Sequence, residues 1–146
     1  MTATTTPIRL DAEQRATLTA LADELVPAAL DMPSASEVDV PGEWADRVLA
    51  VRPDLGPGVL RVLSAARGAD AGTILRRLNE EDPEGIGALG TLVTGAYYLH
   101  PRVRELLNYP GQPNAPVSAG ESDHYLRDGI LDPVRERGPV YRPTPT

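Results

Sequence analysis

Chemistry in this chain would have to come from two histidines, 21 acidic residues and five serines, Ser34, Ser36, Ser64, Ser118 and Ser122. His124 follows Asp123 and stands four residues before Asp128, a spacing that puts imidazole and carboxylate on one helix face. Such a pair makes half a metal site or an acid–base couple. One histidine with two acids falls short of a metal signature, and a solvated helix face accounts for the pattern. His100, between Leu99 and Pro101, sits at a helix junction and is expected to cap or to bond to backbone. Glu80, Glu81, Asp82 and Glu84 lack the alternating oxygen ligands of a calcium loop and read as a solvated helix end. No serine stands in a nucleophile elbow, and no glycine run follows a strand to cradle phosphate. No residue of this chain is expected to be catalytic, cofactor-binding or metal-binding.

Composition narrows the classes further. There is no cysteine, so thiolate ligands, disulfides and a cysteine nucleophile are excluded together. All 14 basic residues are arginine, which removes a Schiff-base or P-loop lysine. A net charge of −7 with scattered arginines opposes nucleic-acid binding, whose affinity comes mainly from phosphate neutralisation. No segment reaches the roughly 18 apolar residues of a membrane span, so no membrane insertion is expected. The stretch Met1–Leu10 has no basic start followed by an apolar run, and the expected location is cytoplasmic.

The elements that must position these side chains are helical. Residues 1–9 read as a disordered lead. Asp11 and Gln14 form a capping box for a first helix, whose apolar stripe is Leu18, Leu21, Ala22 and Leu25 and whose stop is Pro27. Prolines 27, 33 and 41 keep 27–42 irregular. Trp44, Val48 and Val51 mark a second helix. Val59, Leu60, Leu63 and Ala66 mark a third with Gly68 after its end, and Ile74, Leu75 and Leu78 a fourth capped by Asp70. The fifth, over about 83–99, buries Ile86, Leu89, Val93 and Tyr97. Its small-residue stripe Gly87, Thr91 and Gly95 is expected to lie close against another helix. Pro101 opens a short sixth through Leu106 and Leu107, and Ser122 caps a last one that ends near Pro133. No period-two alternation runs over a useful length, and the chain has no Phe. The expectation is all-α: a single bundle of six or seven helices over 10–137, with long proline-rich loops and an extended C-terminal arm over 138–146.

Two stretches resemble a known family. Leu18 to Ala28 reads as a leucine-rich helix ending in proline, with Met32-Pro33-Ser34-Ala35-Ser36 after it. Gly95-Ala96-Tyr97-Tyr98-Leu99-His100-Pro101-Arg102-Val103 then runs into Leu107-Asn108-Tyr109-Pro110-Gly111-Gln112. Both are similar to the gluconate 2-dehydrogenase subunit 3 family, the small gamma or hitchhiker subunits, and together they span roughly residues 11–112. The resemblance implies a non-catalytic helical subunit bound to a large FAD-dependent oxidoreductase of the glucose–methanol–choline type, which oxidises sugars or other alcohols. FAD is then expected in the partner and not in this chain. Family members commonly begin with a twin-arginine export signal, which Met1–Leu10 does not carry, and a bulky aromatic often stands where this chain has Arg104.

Interface-enriched residue types gather near one turn. Tyr98, Arg102, Arg104, Tyr109 and Gln112, with Tyr141 on the arm, are the expected partner-binding residues. The alternative is a free-standing helical binding or regulatory protein that associates with itself through the Gly87–Gly95 face. An enzyme built on His100, His124 and nearby acids comes third.

Overall fold

Capping chemistry sets the frame. In the computed structural model, which describes residues 8–112, 120 and 127–139, the Asp11 carboxylate accepts from the Gln14 amide at 2.8 Å. The Gln14 side chain in turn accepts from the Asp11 amide at 2.9 Å. The capping box therefore forms as its spacing predicts. The described residues hold seven α-helices and no strand beyond an isolated bridge between Ala29 and Met32. They are α1 (Ala12–Leu25), α2 (Ala45–Val51), α3 (Gly56–Ala66), α4 (Ala71–Glu81), α5 (Pro83–Leu99), α6 (Pro101–Leu106) and α7 (Asp132–Arg137). The fold is an all-α bundle. The chain divides into two compact units, 1–111 and 112–146.

In the first unit α5 is the central helix, touching α1, α2, α3, α4, α6 and the wide turn Val40–Trp44. Its Leu89, Leu92, Val93, Ala96 and Tyr97 are buried among Leu18, Leu21, Leu49, Val59 and Val62. Fully burying side chains of this size contributes roughly 1.5–3 kcal/mol each. That gain offsets the roughly 1 kcal/mol by which each α5 glycine disfavours helix relative to alanine. Ile8, within the stretch read as a lead, also packs on this core, and Leu10 is buried in it.

The close helix approach differs from the expected one. Gly87 is exposed, with nothing within 4 Å of where its Cβ would stand, and Thr91 is exposed as well. Only Gly95 of that stripe meets a neighbour, the Val48 side chain, at an ordinary 3.6 Å. Helix contact instead occurs where Gly58 of α3 faces α5. A Cβ there would lie 2.9 Å from Ala88 Cβ and 3.5 Å from Gly85 Cα. The apolar residues of α5 point its large face at several helices, and that forces the Gly87–Thr91 side outward. Leu25 and Val51, read as inward, are exposed for a related reason: each ends its helix, past the last neighbour to cover it.

Two polar joints hold loops to this bundle. Arg15 reaches across 26 and 27 residues to the carbonyls of Pro41 and Gly42, at 2.8 and 3.1 Å, and grips Asp46 with 2.8 and 2.9 Å bonds. Asp82 closes α4, and its carboxylate caps α5 by accepting from the Gly85 amide at 2.9 Å. It also takes two bonds from Arg61 of α3, at 3.1 and 3.2 Å. Arg61 beside it, helped by the Gly85 amide, holds the Asp82 carboxyl below its ordinary range.

The turn between α1 and the Ser36–Val38 helical turn contains the least expected backbone. Ala29 and Met32 exchange amide–carbonyl bonds at 3.1 and 3.0 Å, and Leu30 at the tip adopts φ +54. A left-handed conformation costs a non-glycine residue roughly 1–2 kcal/mol. Among the described residues nothing covers the Leu30 side chain, whose relative exposure is 105%.

In the second unit Pro133 opens α7 and does not close a helix. Its missing amide hydrogen and fixed φ suit a first turn, so the expected stop there was misplaced. Residues 128–131 are turns, while the expected cap Ser122 lies outside the described residues. Ile130, Leu131 and Val134 are exposed.

Candidate functional site

Four of the six sequence-predicted docking residues, Tyr98, Arg102, Arg104 and Tyr109, lie in the segment where α5 turns into α6. His100 makes the corner: its backbone is extended, and its Nδ1 accepts from the Arg102 amide at 3.1 Å, capping α6. The ring meets Trp44 edge-on with centroids 5.2 Å apart, and the Arg47 guanidinium lies 4.6 Å from the Trp44 ring centre. His100 therefore has the structural role its position suggests. His124 and Asp123 lie outside the described residues.

From this corner Tyr98 and Leu99 on α5, Leu106 at the end of α6, and Leu107 and Tyr109 beyond it stand about half exposed. Tyr97 and Tyr98 split as consecutive helical residues must. Tyr97 is buried and donates its hydroxyl to the Pro33 carbonyl at 2.7 Å, while Tyr98 faces outward with its ring 5.6 Å from that of Tyr97. Burial, with Tyr98 and Glu37 adding to it, pushes the Tyr97 hydroxyl above its ordinary pKa.

After α6, Asn108 enters the left-handed region at φ +50 and the Tyr109 amide donates to the Arg104 carbonyl at 2.8 Å. This folds the Tyr109 ring back toward Arg104, whose guanidinium carbon is 5.8 Å from the ring centre. The pair lines an open cleft of about 410 Å³ with Pro101, Glu105, Asn108 and Pro110. Among the described residues no carboxylate lies within 4.0 Å of Arg102 or Arg104. Of the ten described arginines of the same unit, Arg15, Arg47, Arg52, Arg61, Arg67 and Arg77 have such a partner, while Arg9 and Arg76 share the lack of one among the described residues.

Four of the six predicted docking residues, Tyr98, Arg102, Arg104 and Tyr109, are thus brought together at one corner. Gln112 is exposed and is the first residue of the second unit. Tyr141 lies outside the described residues. Sequence reasoning missed three neighbours, Leu99, Leu106 and Leu107, because apolar residues near a helix end were read only as helix markers. It also missed Leu30, whose one signal is a large apolar residue in a proline-flanked stretch without periodicity.

Within the acidic cluster, Glu81 pairs with Arg77, and Asp82 and Glu84 with Arg61. No group of three histidine or acidic side chains gathers to hold a metal among the described residues, and no helix among them is long and apolar enough to cross a membrane. Comparison of the chain with protein-family models, curated proteins and solved structures finds no match. The resemblance to the gluconate 2-dehydrogenase subunit 3 family therefore rests on the residues that carry it.

Proposed function

We infer that this chain is a non-catalytic accessory subunit that binds and stabilises a large FAD-dependent oxidoreductase of the glucose–methanol–choline type, acting on sugars or other alcohols. One observation carries the reading. The residues of the second resembling stretch that lie in the first unit, Gly95 to Gly111, build the α5–α6 corner, and there Tyr98, Leu99, Leu106, Leu107 and Tyr109 stand exposed beside Arg102 and Arg104, which have no carboxylate within 4.0 Å among the described residues. Exposed aromatic side chains with arginine are what protein interfaces enrich, and large apolar side chains left uncovered near them suit a contact surface. The subunit acts by contact: binding the folded, flavin-loaded partner and not its unfolded form stabilises that form by mass action.

The test is an affinity pull-down of this chain from its native cell extract, with the eluate scanned for flavin absorbance. A large co-purifying flavoprotein supports the reading; a colourless eluate of this chain alone overturns it.

A second reading, a free-standing binding protein that associates with itself, draws on the outward face of α5. Gly87, Thr91 and Thr94 are exposed and uncharged there, and both threonine hydroxyls donate to carbonyls of their own helix, at 2.8 Å to Gly87 and 2.7 Å to Gly90. A concentration-dependent dimer in light scattering, lost on Gly87→Arg, would move this reading to first place.

A further inference from the structure

We propose that Leu30 and Asp31 form a plug that enters an apolar socket with a cationic rim on the large partner subunit. This rests on the accessory-subunit reading and names what a second part of the contact looks like. Two features set this tip apart, the first being the side chain itself. Leu30 is the most exposed large apolar residue described, and it sits at the tip of a turn closed by the Ala29–Met32 bonds. The second is the backbone that presents it. Leu30 holds φ +54, where glycine or asparagine is favoured and leucine is strained. Strain of this kind persists where the surroundings over-determine it, and it clusters at functional sites.

The charge around the tip is one-sided. Residues 16–46 contain seven carboxylates, Asp23, Glu24, Asp31, Glu37, Asp39, Glu43 and Asp46, and no arginine. Glu43 and Asp46 pair with arginines from outside that stretch, whereas no cation lies within 4.0 Å of Asp31 or Glu24 among the described residues. An apolar tip on an anionic loop fits a socket edged by arginine or lysine on a protein. It is repelled by an anionic membrane surface, which amphipathic anchors approach with cations.

Continuity with the corner completes the case. The loop's Pro33 carbonyl is held by the Tyr97 hydroxyl, and the next residue, Tyr98, faces out at the α5–α6 corner. The plug is thereby tied to the helix that carries the first contact.

The experiment compares the full-length chain with Leu30→Gly, Leu30→Asn and Asp31→Asn. Each is used to capture the flavoprotein from native extract, and affinity for the purified flavoprotein is then measured by calorimetry at two salt concentrations. Glycine and asparagine both suit the left-handed backbone, so the two leucine variants should fold at least as well as the parent. Their affinity should fall by about tenfold or more, as for a buried anchor residue. Asp31→Asn should bind severalfold more weakly, with a smaller salt dependence. Wild-type capture of flavoprotein with undiminished affinity in both leucine variants overturns the plug and leaves the accessory-subunit reading standing. A wild-type eluate without flavin overturns both. Leu30-dependent sedimentation with phosphatidylcholine vesicles overturns the protein socket in favour of a lipid surface.

Discussion

The Tyr97 hydroxyl donates to the Pro33 carbonyl at 2.7 Å, across 64 residues of chain. Both residues are buried, so the bond satisfies a carbonyl that water does not reach. It fastens the irregular loop after α1 to the C-terminal end of the central helix.

Tyr97→Phe leaves that carbonyl without its partner and should lower the unfolding free energy by about 1–3 kcal/mol. Urea denaturation followed by circular dichroism measures it. The parent should also lose stability in alkali. Burial raises the Tyr97 pKa in the folded state, so its stabilisation is fully present below about 10 and is lost as pH rises through the folded value. In Tyr97→Phe that alkaline loss should be smaller; an identical pH profile would contradict the role given to this hydroxyl.

Asp82 sets an opposite dependence in acid. Its pKa is lowered by Arg61 and by the Gly85 amide, so its contribution is present above about 4 and disappears as pH falls through the folded value. Melting temperature should therefore decline below about pH 4. Asp82→Asn, which can still cap α5 but cannot pair with Arg61, should show a lower plateau at neutral pH and a shallower acid decline.

Two glycine substitutions should have opposite signs. Gly58→Ala would place its Cβ 2.9 Å from Ala88 Cβ, and overpacking of roughly 1–3 kcal/mol exceeds the helix-propensity gain of about 1 kcal/mol. The expected result is net destabilisation. Gly87→Ala meets nothing within 4 Å and should stabilise by up to about 1 kcal/mol. Thermal melts of the two variants decide it, and equal shifts would mean that α3 and α5 do not touch where Gly58 and Ala88 stand.

At the corner, Arg104→Ala and Tyr109→Ala should each weaken flavoprotein capture while leaving the helical dichroism signal unchanged. The two guard one cleft, so the double variant should lose less than the sum of the single losses. Full retention of binding in the double variant would remove the corner from the interface.

Much of this was legible in the chain. The Asp11–Gln14 box, the Asp70 cap, the Gly68 stop and the span of α5 follow from local rules, since each involves residues within one turn of one another, whereas Asp82, read as part of a solvated helix end, also caps α5. Four polar or aromatic residues of the corner, Tyr98, Arg102, Arg104 and Tyr109, stand out in the sequence by type and lie within 12 positions, whereas the exposed Leu99, Leu106 and Leu107 beside them do not. What escaped depends on contacts between distant segments. Which glycine of α5 meets another helix is decided by how Gly58 approaches Gly85 and Ala88, and no period in the sequence records that. The strained tip at Leu30 is set by bonds between Ala29 and Met32 and by the anchoring of Pro33, none of which a leucine advertises.

The central helix has a consequence for how the chain is made. A segment with Gly85, Gly87, Gly90 and Gly95 has little tendency to be helical alone, since nucleation is unfavourable and each glycine weakens propagation. Yet α1, α2, α3 and α4 all precede it in the chain and all rest against it. During synthesis those four helices must wait, collapsed but without their common support, until Leu99 has cleared the ribosome. Domains of this kind fold as units when their last core element emerges. A protein truncated before α5 should therefore behave as a chaperone client and not as a smaller version of the bundle.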